Sequence, residues 1–365
     1  MTILFLLSIV PMAVLWAQNN ESSVFYVSTC LAGFVLILIM NIPPKRQVPF
    51  VKFEIEDKLL EMIIICLVGC GALFYVALLG FGNFNLDITK VYNFRAGFSS
   101  KLPLIFEYIH PLISKVFLPF LLLKGLFFKK RKLIIFSLLG YVIYFGFTQH
   151  RVYFFAPFAI LLIVWLLKQS SEKIIKYIYL GNLAIVVLSF IFMWLGIHGY
   201  MEEYIIRRTY CIPAFLNYAY YDYFLDNEHI YWATSKLSLG YVDYNYDTSV
   251  AYVIGSYLGF DHAHANTGWF GSGYMQAGIF GIYFYLVLFI ILFRFIDGTS
   301  KVNNLGLMSI PFLFLPVFWA FISTDLPTVF LTHGLLVALI LLTFWKNKPK
   351  DTLEGQAEQA EIIKQ

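Results

Sequence analysis

Charge is missing from run after run of this chain, and that feature constrains its fold most. Only 13% of the 365 residues are charged while 60% are hydrophobic. A soluble domain carries roughly 25% charged residues. The mean hydropathy is +0.74. A helix crossing the hydrocarbon layer needs ~20 apolar residues, and helices satisfy their own backbone hydrogen bonds there. Candidate spans lie near 2–17, 24–40, 60–80, 106–128, 133–148, 152–167, 177–196, 272–293, 305–323 and 328–345. The expectation is an all-α polytopic membrane protein of about ten transmembrane helices, one domain over 1–345 with a polar tail over 346–365. This composition excludes a soluble enzyme and a disordered chain. A net charge of +4, with no basic stripe, leaves no nucleic-acid partner.

Basic residues give the orientation. One set of loops holds Lys45, Arg46, Lys52, Lys58, Lys124 and Lys129 to Lys132, then Lys168, Lys173, Lys176, Arg294, Lys301, Lys346, Lys348, Lys350 and Lys364. Against these 18, the other side has 7: Lys90, Arg95, Lys101, Arg151, Arg207, Arg208 and Lys236. Both termini are expected in the cytoplasm. The outer side then carries loops over 81–105 and 197–271, and all seven histidines map to that side or to the outer ends of spans. Chemistry is expected to face outward.

Several outer residue types could carry it. Arg95, Arg151, Arg207 and Arg208 suit an anion, because a guanidinium donates in pairs and stays charged. The bland alternative is anchoring at the headgroup layer. Arg151 sits in so tight a turn between two spans that it must lie at a membrane-embedded mouth. Residues 215–257 interleave tyrosines with Asp, Asn and Glu, the make-up of a carbohydrate platform or of an interfacial aromatic belt. Tyr218, Tyr221 and Asn266 are the sugar-binding candidates. Asp261, His264 and Asn266 precede glycines at 268, 271, 273, 278 and 281, which permit close backbone approach. His262 and His264 lack a third ligand at metal spacing, and the four cysteines show no disulfide or zinc pattern. Asp325 and His333 flank a short outer turn in which Pro327 interrupts the helix. Lys115, inside a span, could pair with Glu107 or face a diphosphate.

Three stretches carry a resemblance: RRTYCIPAFLNYAYYDYF (207–224), NTGWFGSGYMQAGIFGIYFYLVL (266–288) and STDLPTVFLTHGLL (323–336). Together with the span count and the large outer loop, they resemble the O-antigen or oligosaccharide repeat-unit polymerases of Wzy type, from Tyr92 onward. The resemblance implies a metal-independent, cofactor-free, C-type glycosyltransferase-like fold with a large helical, aromatic-rich periplasmic loop in the bacterial inner membrane. It implies that a glycan leaves undecaprenyl diphosphate and joins the sugar of a fresh lipid-linked repeat unit. A chain-length regulator is the implied protein partner, and the bilayer the surrounding one.

In that chemistry Arg207 and Arg208, then Arg151 and Arg95, would neutralise the diphosphate. His264, Asp261 or His333 would take the acceptor proton, and carboxylates such as Asp325 would face the developing oxocarbenium ion. Related ligases place a histidine at a register that falls here near Thr267 rather than His264. The rival readings are an O-antigen ligase, a lipid-linked oligosaccharide flippase and a membrane acyltransferase.

Overall fold

A computed structural model describes residues 2–19, 21–43, 55–87, 105–196, 202–235, 238–261 and 263–345. All regular secondary structure among them is helical. Helices α1 (Thr2–Asn19), α2 (Ser23–Asn41) and α3 (Asp57–Leu79) come first. Next, α4 runs over 105–127 through a π-turn at Ile113–Phe117, followed by α5 (Arg131–Thr148), α6 (Arg151–Leu167) and α7 (Ser171–Trp194). A π-helical stretch at Glu202–Cys211 leads into Ile212–Asp226, together α8, and α9 is Val250–Tyr257. The last elements are α10 (Trp269–Val302), α11 (Ser309–Ile322), α12 (Leu326–Leu331) and α13 (Leu335–Phe344).

Among the described residues, six helices are long and apolar enough, by length and composition, to cross a membrane: Ser23–Asn41, Asp57–Leu79, Tyr108–Phe127, Arg131–Thr148, Ser171–Trp194 and Trp269–Val302. Arg151–Leu167, Gly306–Ile322 and Leu335–Phe344 are apolar but shorter.

The chain divides into two compact units, one from 1–48, 175–295 and 317–329, the other from 49–174, 296–316 and 330–365. In the second, Tyr144 donates to the Val68 carbonyl at 2.7 Å and packs edge-on against Tyr75, tying α5 to α3. Ser137 donates to the Leu118 carbonyl at 2.8 Å, joining α5 to α4. The fully buried Lys124 ammonium of α4 is neutralised by Asp57 at 2.5 Å and Glu61 at 3.0 Å, both on α3. A buried cation is tolerated only when paired in this way.

The first unit is organised by a break in α10. Ala277 and Gly278 leave the helical conformation, Gly278 with φ 62° and ψ −146°. The chain reverses there, so that limb 269–276 lies back along limb 279–302. The Trp269 indole donates to the Ile282 carbonyl at 3.1 Å, and its ring packs on Phe289 and Phe321. In a straight helix Trp269 and Phe289 would stand ~30 Å apart. The unbroken span expected near 272–293 is therefore corrected to a helical hairpin. Its glycines are the contact points: a Cβ at Gly281 would collide with the Gly273 carbonyl, and one at Gly268 with the Phe321 carbonyl.

The expected interruption after Asp325 also moves. Pro327 sits in the first turn of α12, where a missing N–H costs nothing. The helix instead ends at Leu331 and restarts at Leu335, with Gly334 at φ 88°. Arg294 donates to the Ile39 and Ile42 carbonyls, closing the C-terminus of α2.

The hairpin contact yields a prediction about paired glycines. Gly281→Ala should destabilise the protein by about 1–3 kcal/mol through overpacking. Gly69→Ala, on α3 with open space around it, should be neutral or stabilising by up to about 1 kcal/mol. Thermal unfolding of the two variants in detergent, side by side, checks this.

Candidate functional site

The broken helix leaves two carbonyls without their helical partners, and the segment after α8 takes them. Ile230 N–H donates to the Met275 carbonyl at 3.1 Å and Tyr231 N–H to the Gln276 carbonyl at 3.0 Å. To do so Tyr231 and Trp232 adopt left-handed conformations, with φ 42° and 62°. Such conformations cost bulky residues roughly 1–3 kcal/mol each and persist where the surroundings impose them.

Asp325, just ahead of α12, is where these groups converge. Its Oδ1 accepts from the Tyr285 hydroxyl at 2.6 Å and its Oδ2 from the Gln276 amide at 3.1 Å. Gln276 Oε1 accepts from the Trp232 N–H at 2.6 Å, and the Trp232 indole donates to the Tyr285 hydroxyl at 3.0 Å. The ring Asp325–Gln276–Trp232–Tyr285 is closed, and Gln276 and Tyr285 are fully buried. Burial pushes the Asp325 carboxyl up to about 6, with the Tyr285 and Gln276 hydrogen bonds opposing the rise. The Tyr285, Ser272 and Gln276 side chains and the Leu326 N–H, all neutral, hold the carboxylate. A carboxyl tuned to that range can carry a negative charge or a proton near neutrality.

A second polar node anchors the start of the hairpin. Asn217 Oδ1 accepts from the Thr267 hydroxyl at 2.9 Å and from the Gly271 N–H at 2.8 Å. Tyr220 donates to the Ala265 carbonyl at 2.9 Å. These bonds fix the 265–271 segment against α8.

The remaining expected residues fall in different places. His264 and Asp261 are exposed, His264 with its ring edge against Tyr252 at 4.8 Å, and Asn266 is exposed beside them. Tyr218 and Tyr221 are buried. Tyr218 donates to the Met12 carbonyl at 3.1 Å, and Phe25 covers both rings, so they pack helices rather than present a platform. Arg207 and Arg208 are exposed on the π-helical stretch.

In the other unit, Arg151 opens α6 after the two-residue turn Gln149–His150, as tight as the sequence implies. Beside it the His150 and His110 rings lie 3.8 Å apart, and His110 Nδ1 is 2.9 Å from the Tyr153 hydroxyl. His333 Nδ1 is 3.2 Å from Lys115 Nζ, a pairing not expected for either residue. Arg95, His198, His262 and the 346–365 tail lie outside the described residues, as do the Glu107 side chain and loop residues 88–104. Among the described residues, no group of three or more His, Cys, Asp and Glu could hold a metal ion.

Gln276, Tyr285, Trp232 and His229 were not singled out by sequence. One signal was available for Gln276: an amide followed by Ala-Gly in the middle of an apolar run has to find polar partners.

No family model, curated protein or solved structure matches the chain.

The Asn217 node yields a second prediction. Asn217→Ala leaves the Thr267 hydroxyl and Gly271 N–H buried without their acceptor, at roughly 2–4 kcal/mol for the pair. Denaturant or thermal unfolding of the purified variant reads this loss.

Proposed function

We propose that the chain is a multi-pass glycosyltransferase that polymerises undecaprenyl-diphosphate-linked oligosaccharide repeat units into surface polysaccharide at the periplasmic face of a bacterial inner membrane. The observation that supports this most is the Asp325 carboxylate, held by neutral donors at a broken helix in the unit that also carries the tyrosine-rich segment. A carboxylate so placed suits the positive charge that develops on an anomeric carbon as the diphosphate leaves. The reading counts ten spans: limb 279–302 of α10 and the other five long helices, the three shorter apolar ones and α1. The Lys124 and Lys130 ammonium groups gather with Asp57 and Glu61 at one end of their helices, consistent with a cytoplasmic side there. Both termini are then cytoplasmic.

Roles follow from the chemistry. Arg207 and Arg208 are exposed and suit the diphosphate, with Arg151 and Arg95 as further cations. His264, Asp261 and His333 stay candidates for the acceptor proton. Asn266 is exposed for sugar contact, and exposed Tyr231, Tyr252 and Tyr257 serve that purpose better than buried Tyr218 and Tyr221. A chain-length regulator would act with the enzyme. The reaction needs no cofactor, because the diphosphate bond supplies the energy.

A flippase is the second reading, favoured by the discontinuous helices at 277–278 and 332–334, since transporters build midplane sites from broken helices. Deleting the gene in its native strain separates these readings. A polymerase deletion leaves one repeat unit on the lipid core, whereas flippase or ligase loss removes all surface glycan. Arg208→Ala should fail to restore the ladder on a gel; a full ladder would remove the arginine from the diphosphate site.

The titration of Asp325 adds a pH prediction. The group acts as carboxylate, so activity should be full above its value of about 6 and fall as the pH drops through it. Asp325→Asn should lower the rate about 10²–10³-fold and abolish that acid limb. Chain extension in proteoliposomes between pH 5 and 8 measures both.

A further inference from the structure

His229 packs against the hairpin break at Gly278. The Phe224 ring stacks on its imidazole at 6.0 Å, and Tyr274 and Tyr231 meet it edge-on at 5.6 and 6.1 Å. Its Nε2 faces Gly278, where a Cβ would come within 3.3 Å. Its Nδ1 is buried and has no hydrogen-bond partner among the described residues. Burial lowers the pKa of the ring, against a hydrogen bond to the Met275 backbone that raises it, and the net direction favours a neutral imidazole with a lone pair to offer.

The surroundings bear on what this lone pair serves. A buried polar atom without a partner is rare in a folded protein and calls for a reason. Here the atom is enclosed by aromatic rings, of which Tyr231 is the outermost, 55% exposed and set in the left-handed turn that the Gln276 carbonyl holds. Tyr246 leans on Phe224 at the rim and donates to the Glu228 carbonyl at 2.6 Å. Aromatic walls with one unmet polar atom fit a ligand that shows C–H faces and hydroxyls together, which is the surface of a sugar. Gln276, two residues before Gly278, donates to Asp325. A group for the acceptor and a group for the donor thus flank one turn of chain.

We propose that this aromatic enclosure is the acceptor-sugar subsite and that His229 takes the proton of the hydroxyl seated in it. The proposal rests on the glycosyl-transfer reading above. In the step, the acceptor O–H gives its proton to Nδ1 and the oxygen bonds to the anomeric carbon. The bond from that carbon to the diphosphate oxygen breaks, and its electron pair leaves with the diphosphate. Tyr231 has to swing outward for the hydroxyl to reach Nδ1, and its strained turn provides the hinge.

The test uses the full-length protein in proteoliposomes, with lipid-linked repeat units extracted from the deletion strain. His229 is modified with diethyl pyrocarbonate and followed by mass spectrometry, alone, with the repeat units, and with undecaprenyl diphosphate. Protection by the sugar-bearing lipid and not by the bare diphosphate is expected. Equal protection by both, or by neither, overturns the subsite. In parallel, His229→Gln should slow single-turnover chain extension at least about 100-fold; a rate within about threefold of wild type overturns the proton-transfer role. The labelling needs no variant, so a poorly folded His229→Gln leaves the subsite testable. If the wild type makes no polymer yet the repeat units protect His229, the polymerase reading fails and the subsite stands.

Discussion

Backbone that leaves the helical path in apolar surroundings must find its hydrogen bonds elsewhere, because neither lipid nor a packed core supplies them. The break at Ala277–Gly278 is where this requirement acts most strongly. It frees the Met275 and Gln276 carbonyls, and the N–H groups of Ile230 and Tyr231 take them. That pairing draws the segment after α8 onto the hairpin, and the Gln276 side chain then reaches both Trp232 and Asp325. Without the break, Gln276 would be an amide on the face of an ordinary apolar helix, Tyr231 and Trp232 would have no cause for left-handed conformations, and Asp325 would lose one of its side-chain donors. The local architecture of the unit is a consequence of two residues that refuse the helix.

The sequence revealed the helices well and their interruptions poorly, for a physical reason. Low charge over about 20 residues identifies a long apolar helix whatever its neighbours do, so the long helices were legible. The turn at Gln149–His150 was legible too, since two charge-poor runs left only a few residues to join them. Glycine spacing is ambiguous by contrast. Gly273 and Gly281 are eight apart, which suits one face of a straight helix as well as two facing limbs of a hairpin. Only contacts distant in sequence, Trp269 with Phe321 and Asn217 with Gly271, decide between them. Pro327 misled in the same way, because a proline marks either the interruption of a helix or its first turn.

The aromatic segment shows the same limit from the side of the site. Tyrosine density from 215 to 257 marked a region of interest, yet it could not sort tyrosines that pack from tyrosines that face outward. Tyr218 and Tyr221 fall on the side of α8 that meets Phe25, while Tyr231, Tyr241 and Tyr257 lie on irregular or short elements and are exposed. Among the acidic and basic candidates, Asp325 gained partners that the sequence did not suggest. His264 and Asp261, whose motif looked stronger, lie at the surface.

Asp325 also shows why irregular backbone and polar side chains go together in a chain so poor in charge. A regular helix consumes its own donors and acceptors and offers none to a side chain in its middle. A π-turn or a break shifts carbonyls and N–H groups out of register, and polar side chains are stabilised beside them. Gln276 sits at the hairpin break and Asp325 just ahead of α12; in the other unit, Lys115 lies in the π-turn of α4 and His333 in the gap between α12 and α13. Arg207 and Arg208 belong to the π-helical start of α8. Helical irregularities are over-represented at functional sites, and the reason here is concrete. They are the places within long apolar helices where a carboxylate, an imidazole or an ammonium group can be held without abandoning its hydrogen bonds, and so the places where such a chain can keep its chemistry.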